Sequence, residues 1–170
     1  MAGALLLAGC EAPAPADNRY AFESIVSFGT DGGSERFRRE GWSHTERLFT
    51  WTDGTRAKLE LRLPITNRPL GLRMKLAGMK PADLAAQPVD VFANGKQIAH
   101  WQVGAPAFFS AVIPPDLLRR SGKLKIELKM PRATSPKSLG HSADSRLLGV
   151  SCTELQISKA GHGADIWPQN

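Results

Sequence analysis

The feature that most constrains this chain is a period-two alternation of apolar and charged side chains, recurring in short runs separated by turn residues. Ala57, Leu59, Leu61 and Leu63 alternate with Arg56, Lys58, Glu60 and Arg62. Leu72, Met74 and Leu76 alternate with Arg73 and Lys75, and Leu124, Ile126, Leu128 and Met130 with Lys123, Lys125, Glu127 and Lys129. Successive side chains on a strand point to opposite faces, so each run is a strand with one dry and one wet face, the pattern of antiparallel sheets. The three-and-four spacing of an amphipathic helix is nearly absent. Residues 89–93 and 96–103 flank Asn94-Gly95, a pair that tolerates the positive φ of a type I′ turn, and so form a hairpin. Residues 20–28, 46–51, 107–113 and 147–157 supply further strands. Pro114-Pro115-Asp116-Leu117-Leu118 reads as one helical turn entered through proline. Pro64, Pro69, Pro81 and Pro88 are expected between strands, where a missing N–H costs no ladder bond. Some nine strands in 170 residues predict one all-β domain, a two-sheet antiparallel β-sandwich closest to a jelly roll. A content of 42% hydrophobic and 22% charged residues excludes wholesale disorder. No run of 18 apolar residues is present to span a bilayer as a helix.

The first residues carry an address. Met1 to Gly9 reads MAGALLLAG, an apolar run that ends in small residues directly before Cys10. Leu7-Ala8-Gly9-Cys10 resembles the lipobox of bacterial lipoproteins. The resemblance implies cleavage before Cys10 and acylation, palmitate included, of that residue as the new N-terminus. No basic residue precedes the run, the pattern expected when translation starts further upstream. Glu11 to Asp17 reads EAPAPAD, which favours extended polyproline geometry and serves as a tether. Glu11, where an Asp signals inner-membrane retention in enteric bacteria, implies the outer membrane, with the domain facing periplasm or exterior. The expected organisation is a signal segment over 1–9, lipidated Cys and tether over 10–18, sandwich over 19–160 and tail over 161–170, where Trp167 could dock back. Once Cys10 is acylated, Cys152 is alone. It sits in an apolar strand-like run, so a buried core thiol is expected, with no disulfide and no cysteine metal site.

The net charge of +6 is uneven: residues 56–80 and 119–137 each hold seven basic and one acidic side chain. If those strands are neighbours the domain has one cationic wall, suited to an anionic glycan, lipopolysaccharide or phospholipid headgroups. Alternatively the lysines and arginines solubilise wet strand faces and guard sheet edges. Nucleic acid is a poor partner for an exported lipoprotein.

Two blocks carry a second resemblance. The first is Gly41-Trp42-Ser43-His44-Thr45-Glu46-Arg47-Leu48-Phe49-Thr50-Trp51-Thr52-Asp53-Gly54, leading into the strand at Ala57. The second runs from Met130-Pro131-Arg132 through Ser135-Pro136, Gly140-His141-Ser142 and Asp144-Ser145-Arg146 to Gly149. With the Asn-Gly hairpin between them, residues 20–158 resemble galactose-binding-like β-sandwich accessory domains of bacterial surface-polysaccharide proteins, which are attached to membrane glycosyltransferases and related glycan-processing proteins. The resemblance implies a glycan-associated module without a defined reaction.

The residues themselves point the same way. Trp42, Trp51 and Trp101 can offer flat apolar faces to a sugar ring, while Glu46, Arg47 and Asp53 exchange hydrogen bonds with hydroxyls. Equally, Trp42 and Trp51 can plug the ends of the sandwich, with Glu46 paired to an arginine inside it. Asp144 and Arg146, two apart in a loop, suit a bidentate pair that clamps the loop.

Catalytic signatures are thin. His44, His100, His141 and His162 lack zinc spacing, so no metal and no cofactor is expected. His141, Ser142 and Asp144 are neighbours in one loop, whereas a triad draws its members from separate elements. Gly29-Thr30-Asp31-Gly32-Gly33 has no helix after it to bind phosphate. The sequence therefore predicts a non-enzymatic, outer-membrane lipoprotein that binds a surface polysaccharide or other envelope glycan. One alternative is a structural lipoprotein that docks onto a protein partner in a glycan-assembly or secretion machine. Another is a small glycan hydrolase or transferase with Glu46 and Asp53 as its carboxylates.

Overall fold

A computed structural model describes residues 17–118 and 121–159. The lipobox with Cys10, the tether before Asp17, Arg119, Arg120 and the tail with His162 and Trp167 lie outside the described residues. Ten strands appear among the described residues: β1 (Ile25–Ser27), β2 (Trp42–Thr45), β3 (Thr50–Asp53), β4 (Arg56–Arg62), β5 (Leu70–Gly78), β6 (Gln87–Ala93), β7 (Lys96–Val103), β8 (Ala107–Ile113), β9 (Lys123–Lys129) and β10 (Leu148–Lys159). One sheet has the order β2-β3-β10-β5-β8, with β1 on the β3 side of β10 below β3; the other has the order β4-β9-β6-β7. Neighbouring strands are antiparallel throughout. The result is the antiparallel two-sheet sandwich of jelly-roll type that the alternation predicts.

The core is made by the inward half of each alternating run. Ala57, Leu59 and Leu61 of β4, Leu124, Ile126 and Leu128 of β9, and Val89 and Val91 of β6 face Leu72, Met74 and Leu76 of β5 and Val150, Cys152, Leu155 and Ile157 of β10, all buried. The inward parity of β10 changes between Cys152 and Leu155 because a bulge there shifts the pairing with β5. Cys152 is free and wholly buried, and burial pushes its thiol well above the usual range. The β6–β7 hairpin turns through Asn94 (φ 47°) and Gly95 (φ 88°). The Asn94 side chain also donates to the carbonyls of Leu117 and Lys123 and accepts from the Lys125 N–H, which fixes the hairpin tip to β9. Pro115 opens a 3-10 turn over Pro115–Leu117, as the sequence suggests.

Four boundaries differ from expectation. The first strand is only β1, because Glu23 takes a positive φ of 69° and breaks the extended run. Residues 46–49 form a turn closed by the Glu46 N–H on the Phe49 carbonyl at 2.9 Å, so β3 starts at Thr50. β2 was hidden from the alternation because it is four residues long and bulged. Pro88 lies inside β6, not between strands; β9 pairs with β6 only from Asp90 onward, so that side makes no demand on the missing N–H.

Tyr20 closes the lower end. Its hydroxyl donates to the Ser24 carbonyl at 2.5 Å and accepts from the Ile157 N–H at 2.7 Å. Burial pushes the phenol from 10 up to about 12. The stabilisation from the neutral phenol is therefore complete below about pH 10 and is lost as the pH rises through about 12. Tyr20 is the sole tyrosine, so near-ultraviolet phenolate absorbance reports it alone. An alkaline titration should show a midpoint near 12 in the native protein and near 10 in urea. Tyr20→Phe, which strands the Ile157 N–H, should cost about 1–3 kcal/mol in urea unfolding.

Candidate functional site

The site is built around β3. Thr50 and Thr52 point into the sandwich and are fully buried, so Trp51 and Asp53 point outward. The Thr50 hydroxyl donates to the Phe28 carbonyl at 2.6 Å. The Thr52 hydroxyl accepts from the amides of Gly149 and Val150 at 3.2 and 3.0 Å and lies 3.2 Å from the Val150 carbonyl. Those two residues of β10 stand opposite Thr52 alone, between the pairs Leu148/Asp53 and Ser151/Trp51, and Thr52 thus holds a bulge in place. On the other side, β2 pairs through Trp42/Thr52 and Thr45/Thr50, which leaves Ser43 and His44 opposite Trp51. Two bulged neighbours thereby frame one outward tryptophan.

Arg146 joins this frame from the long loop before β10. Its Nε donates to Asp144 Oδ1 at 3.1 Å and its Nη2 to Oδ2 at 2.6 Å, the bidentate clamp proposed from their spacing, and its Nη1 donates to the Ser43 hydroxyl at 2.5 Å. Arg146 holds the Asp144 carboxyl down at about 2. Asp144, Glu46 and Asp53 lie close enough to raise the Arg146 pKa, and His44 close enough to help lower that of Asp144. The cluster thus collects one guanidinium, three carboxylates, an imidazole and a hydroxyl beside the half-buried Trp51 ring. Phe49 packs edge-on to that ring at 6.0 Å.

Of the residues singled out from sequence, Trp51, Glu46, Asp53, Asp144 and Arg146 come together here. Arg47 is exposed on the adjacent turn, where its carbonyl lies 3.3 Å from the Thr30 N–H. That turn lies so close to Gly29 that a Cβ there would run into the Arg47 carbonyl, which accounts for glycine at that position without a phosphate. Trp101 is corrected: it is 7% exposed, in the core, and its indole N–H donates to the Ser110 carbonyl. Trp42 turns inward against Phe28 at 5.1 Å and donates to the Lys58 carbonyl at 2.8 Å, the plugging role and not a ligand platform. The half-buried arginine beside β2 is Arg38, which donates to Thr45 and pairs with Glu35, not Glu46. Sequence reasoning missed Ser43 and His44 as site members, because a bulge in a four-residue strand leaves no periodic trace. Ser142 accepts from the Asp144 amide, so the neighbouring His141, Ser142 and Asp144 make a turn and no triad.

The cationic wall is also corrected. Arg73 and Lys75 lie on β5 of one sheet, while β4 and β9 belong to the other. Along the β4–β9 ladder, Lys58 faces Glu127 and Glu60 faces Lys125. Beside them a cleft of about 460 Å³ is lined by Arg39, Glu40, Lys58, Glu60, Lys125 and Glu127 among others, a balanced set with Lys58 paired to Glu40. Among the described residues, no group of three or more His, Cys, Asp or Glu could hold a metal ion.

No protein-family model matches the chain, and no curated protein matches it in sequence. Some solved structures are partly similar in shape. The CBM36-1 domain of a multidomain xylanase from the hindgut metagenome of Trinervitermes trinervoides has a TM-score of 0.49 and 15% identity, over 81% of this chain and 98% of that one. The CBM22-1 xylan-binding domain from Paenibacillus barcinonensis has a TM-score of 0.49 and 15% identity, over 80% and 92%. The CBM6-3 module of Clostridium stercorarium, solved with cellobiose, has a TM-score of 0.48 and 11% identity, over 82% and 96%.

Two outcomes test the geometry. Thr52→Val strands two buried amides and should destabilise the protein by about 1–3 kcal/mol in urea unfolding. The Asp144 clamp has a depressed carboxyl, so its stabilisation is present above about pH 3.8 and is lost as pH falls through about 2. An NMR titration should show the Asp144 carboxyl and the Arg146 Nε–H moving together near pH 2.

Proposed function

We propose that this chain is a non-catalytic carbohydrate-binding accessory protein, held at the outer membrane by acylated Cys10, with its sugar site at Trp51. The observation that supports this most is the frame around Trp51: an outward aromatic ring bordered by Ser43, His44, Asp53 and the Asp144–Arg146 clamp. A sugar ring has an apolar C–H face and a rim of hydroxyls, and needs an aromatic plate with fixed donors and acceptors at its edge. Here the donors and acceptors are fixed before any ligand arrives, because Arg146 is already gripped by Asp144 and Ser43. Preorganisation of this kind lowers the entropy lost on binding.

The balance of charge in the frame selects the sugar. Three carboxylates against one arginine repel a polyanion, whereas carboxylates accept hydrogen bonds from neutral hydroxyls, so the ligand is a neutral glycan.

In affinity gels, the full-length protein should be retarded by a neutral polysaccharide at both low and moderate salt. Trp51→Ala should weaken that retardation about thirtyfold, the cost of removing a central aromatic anchor. Arg146→Gln, which opens the clamp, should weaken it less. A Trp51→Ala protein that folds and is retarded as strongly as the parent would remove the site. Acylation is tested separately: palmitate label should enter the chain in bacterial cells and be abolished by Cys10→Ser.

A further inference from the structure

We infer that the outer face of the four-stranded sheet ends in a docking row for anionic phospholipid headgroups, made by Arg19, Arg62 and Lys123 with Ile65 beside it. The β4–β9 register shows what is unusual there. Its outward rungs are Arg56/Lys129, Lys58/Glu127, Glu60/Lys125 and Arg62/Lys123. Glu127 lies 3.9 Å from Arg56, Asp90 stands opposite Lys129 on β6, and the two middle rungs pair opposite charges. The last rung sets two exposed cations side by side.

A third cation extends that rung. The Tyr20 N–H donates to the Arg62 carbonyl and the Arg62 N–H to the Asn18 carbonyl, so residues 18–20 run alongside the end of β4. Tyr20 points into the core, and Arg19 therefore points outward on the same face as Arg62. Arg19 lies 3.7 Å from Asp17, but both side chains are largely exposed and such a pair holds weakly. Like charges directly opposite one another across a sheet are destabilising unless an outside anion eases them.

Ile65 is an independent second observation. It is 74% exposed, the most exposed large apolar side chain among the described residues, and lies in the loop that follows Arg62, together with exposed Arg68. Cations around an exposed apolar tip fit the boundary between headgroups and acyl chains. The chain also enters the sandwich at this row, at Asn18 and Arg19. The segment from Cys10 to Asp17 can span at most about 25 Å, which keeps the row near any bilayer holding Cys10. Only this last point rests on the lipid-anchor proposal; the sugar site at Trp51 is on the other sheet.

The test uses the full chain carrying Cys10→Ser, so that no acyl chain contributes, in co-sedimentation with vesicles. Vesicles containing phosphatidylglycerol should bind it, vesicles of phosphatidylcholine alone should not, and salt should release it. The double variant Arg62→Glu and Lys123→Glu should lose at least tenfold in partitioning, since each basic residue at an anionic surface is worth about fivefold. Ile65→Ser should lose less, and Lys137→Glu, at the other end of the sandwich, should change little. Equal binding to both vesicle types, or a folded double variant that binds unchanged, overturns the proposal. Retention on alginate that the double variant abolishes, with no vesicle binding, would assign the row to a soluble anionic glycan instead. Neither result bears on Trp51, whose neutral-glycan retardation is read independently.

Discussion

The hydroxyl of Thr52, buried against two amides of β10, sets the geometry on which the site depends. β3 is only four residues long, and both of its neighbours carry an extra residue opposite it. Without an acceptor inside the sandwich, the Gly149 and Val150 amides would be buried and unpaired, and a slip of one residue would turn Trp51 inward. Thr52 satisfies both amides and so fixes which face β3 shows to solvent. The Asp144–Arg146 clamp then reaches Ser43 because the loop carrying it enters β10 at that same bulge.

The strands with one buried and one wet face were legible from sequence, because burial enforces the period and the period survives any detail of the turns. The Asn94-Gly95 hairpin and the prolyl turn at Pro115 were legible for a local reason: their backbone angles admit few residue types. β1 and β2 were not, being short, half-exposed and interrupted by Glu23 in one case and a bulge in the other. The mixed reading of the tryptophans has a related cause. Trp42, Trp51 and Trp101 are alike in sequence, and their difference lies in strand parity and neighbours, with the Trp42 and Trp101 N–H groups bonded to the Lys58 and Ser110 carbonyls. Asp144 and Arg146 could be paired from spacing alone, whereas the contact of Arg146 with Ser43 joins residues 103 positions apart.

Charge shows the same dependence on register. Two basic runs that look like one wall in sequence divide between two sheets, and the two middle rungs of the β4–β9 ladder each set a lysine against a carboxylate. What remains is a polarity between faces: an acid-rich frame around an aromatic ring on the six-stranded sheet, and a cationic rung at the chain's entry on the four-stranded one. A tethered module that held neutral glycan on one face while lying against a bilayer with another would need this separation, since a polybasic sugar site would compete with the membrane for the same surface.

The most direct test of the central claim is the indole N–H spectrum of ¹⁵N-labelled full-length protein during titration with a neutral oligosaccharide. The Trp51 signal should shift as sugar is added, while those of Trp42 and Trp101, each bonded to a backbone carbonyl, should hold still. A bound sugar that leaves the Trp51 signal unmoved would contradict the placement of the site.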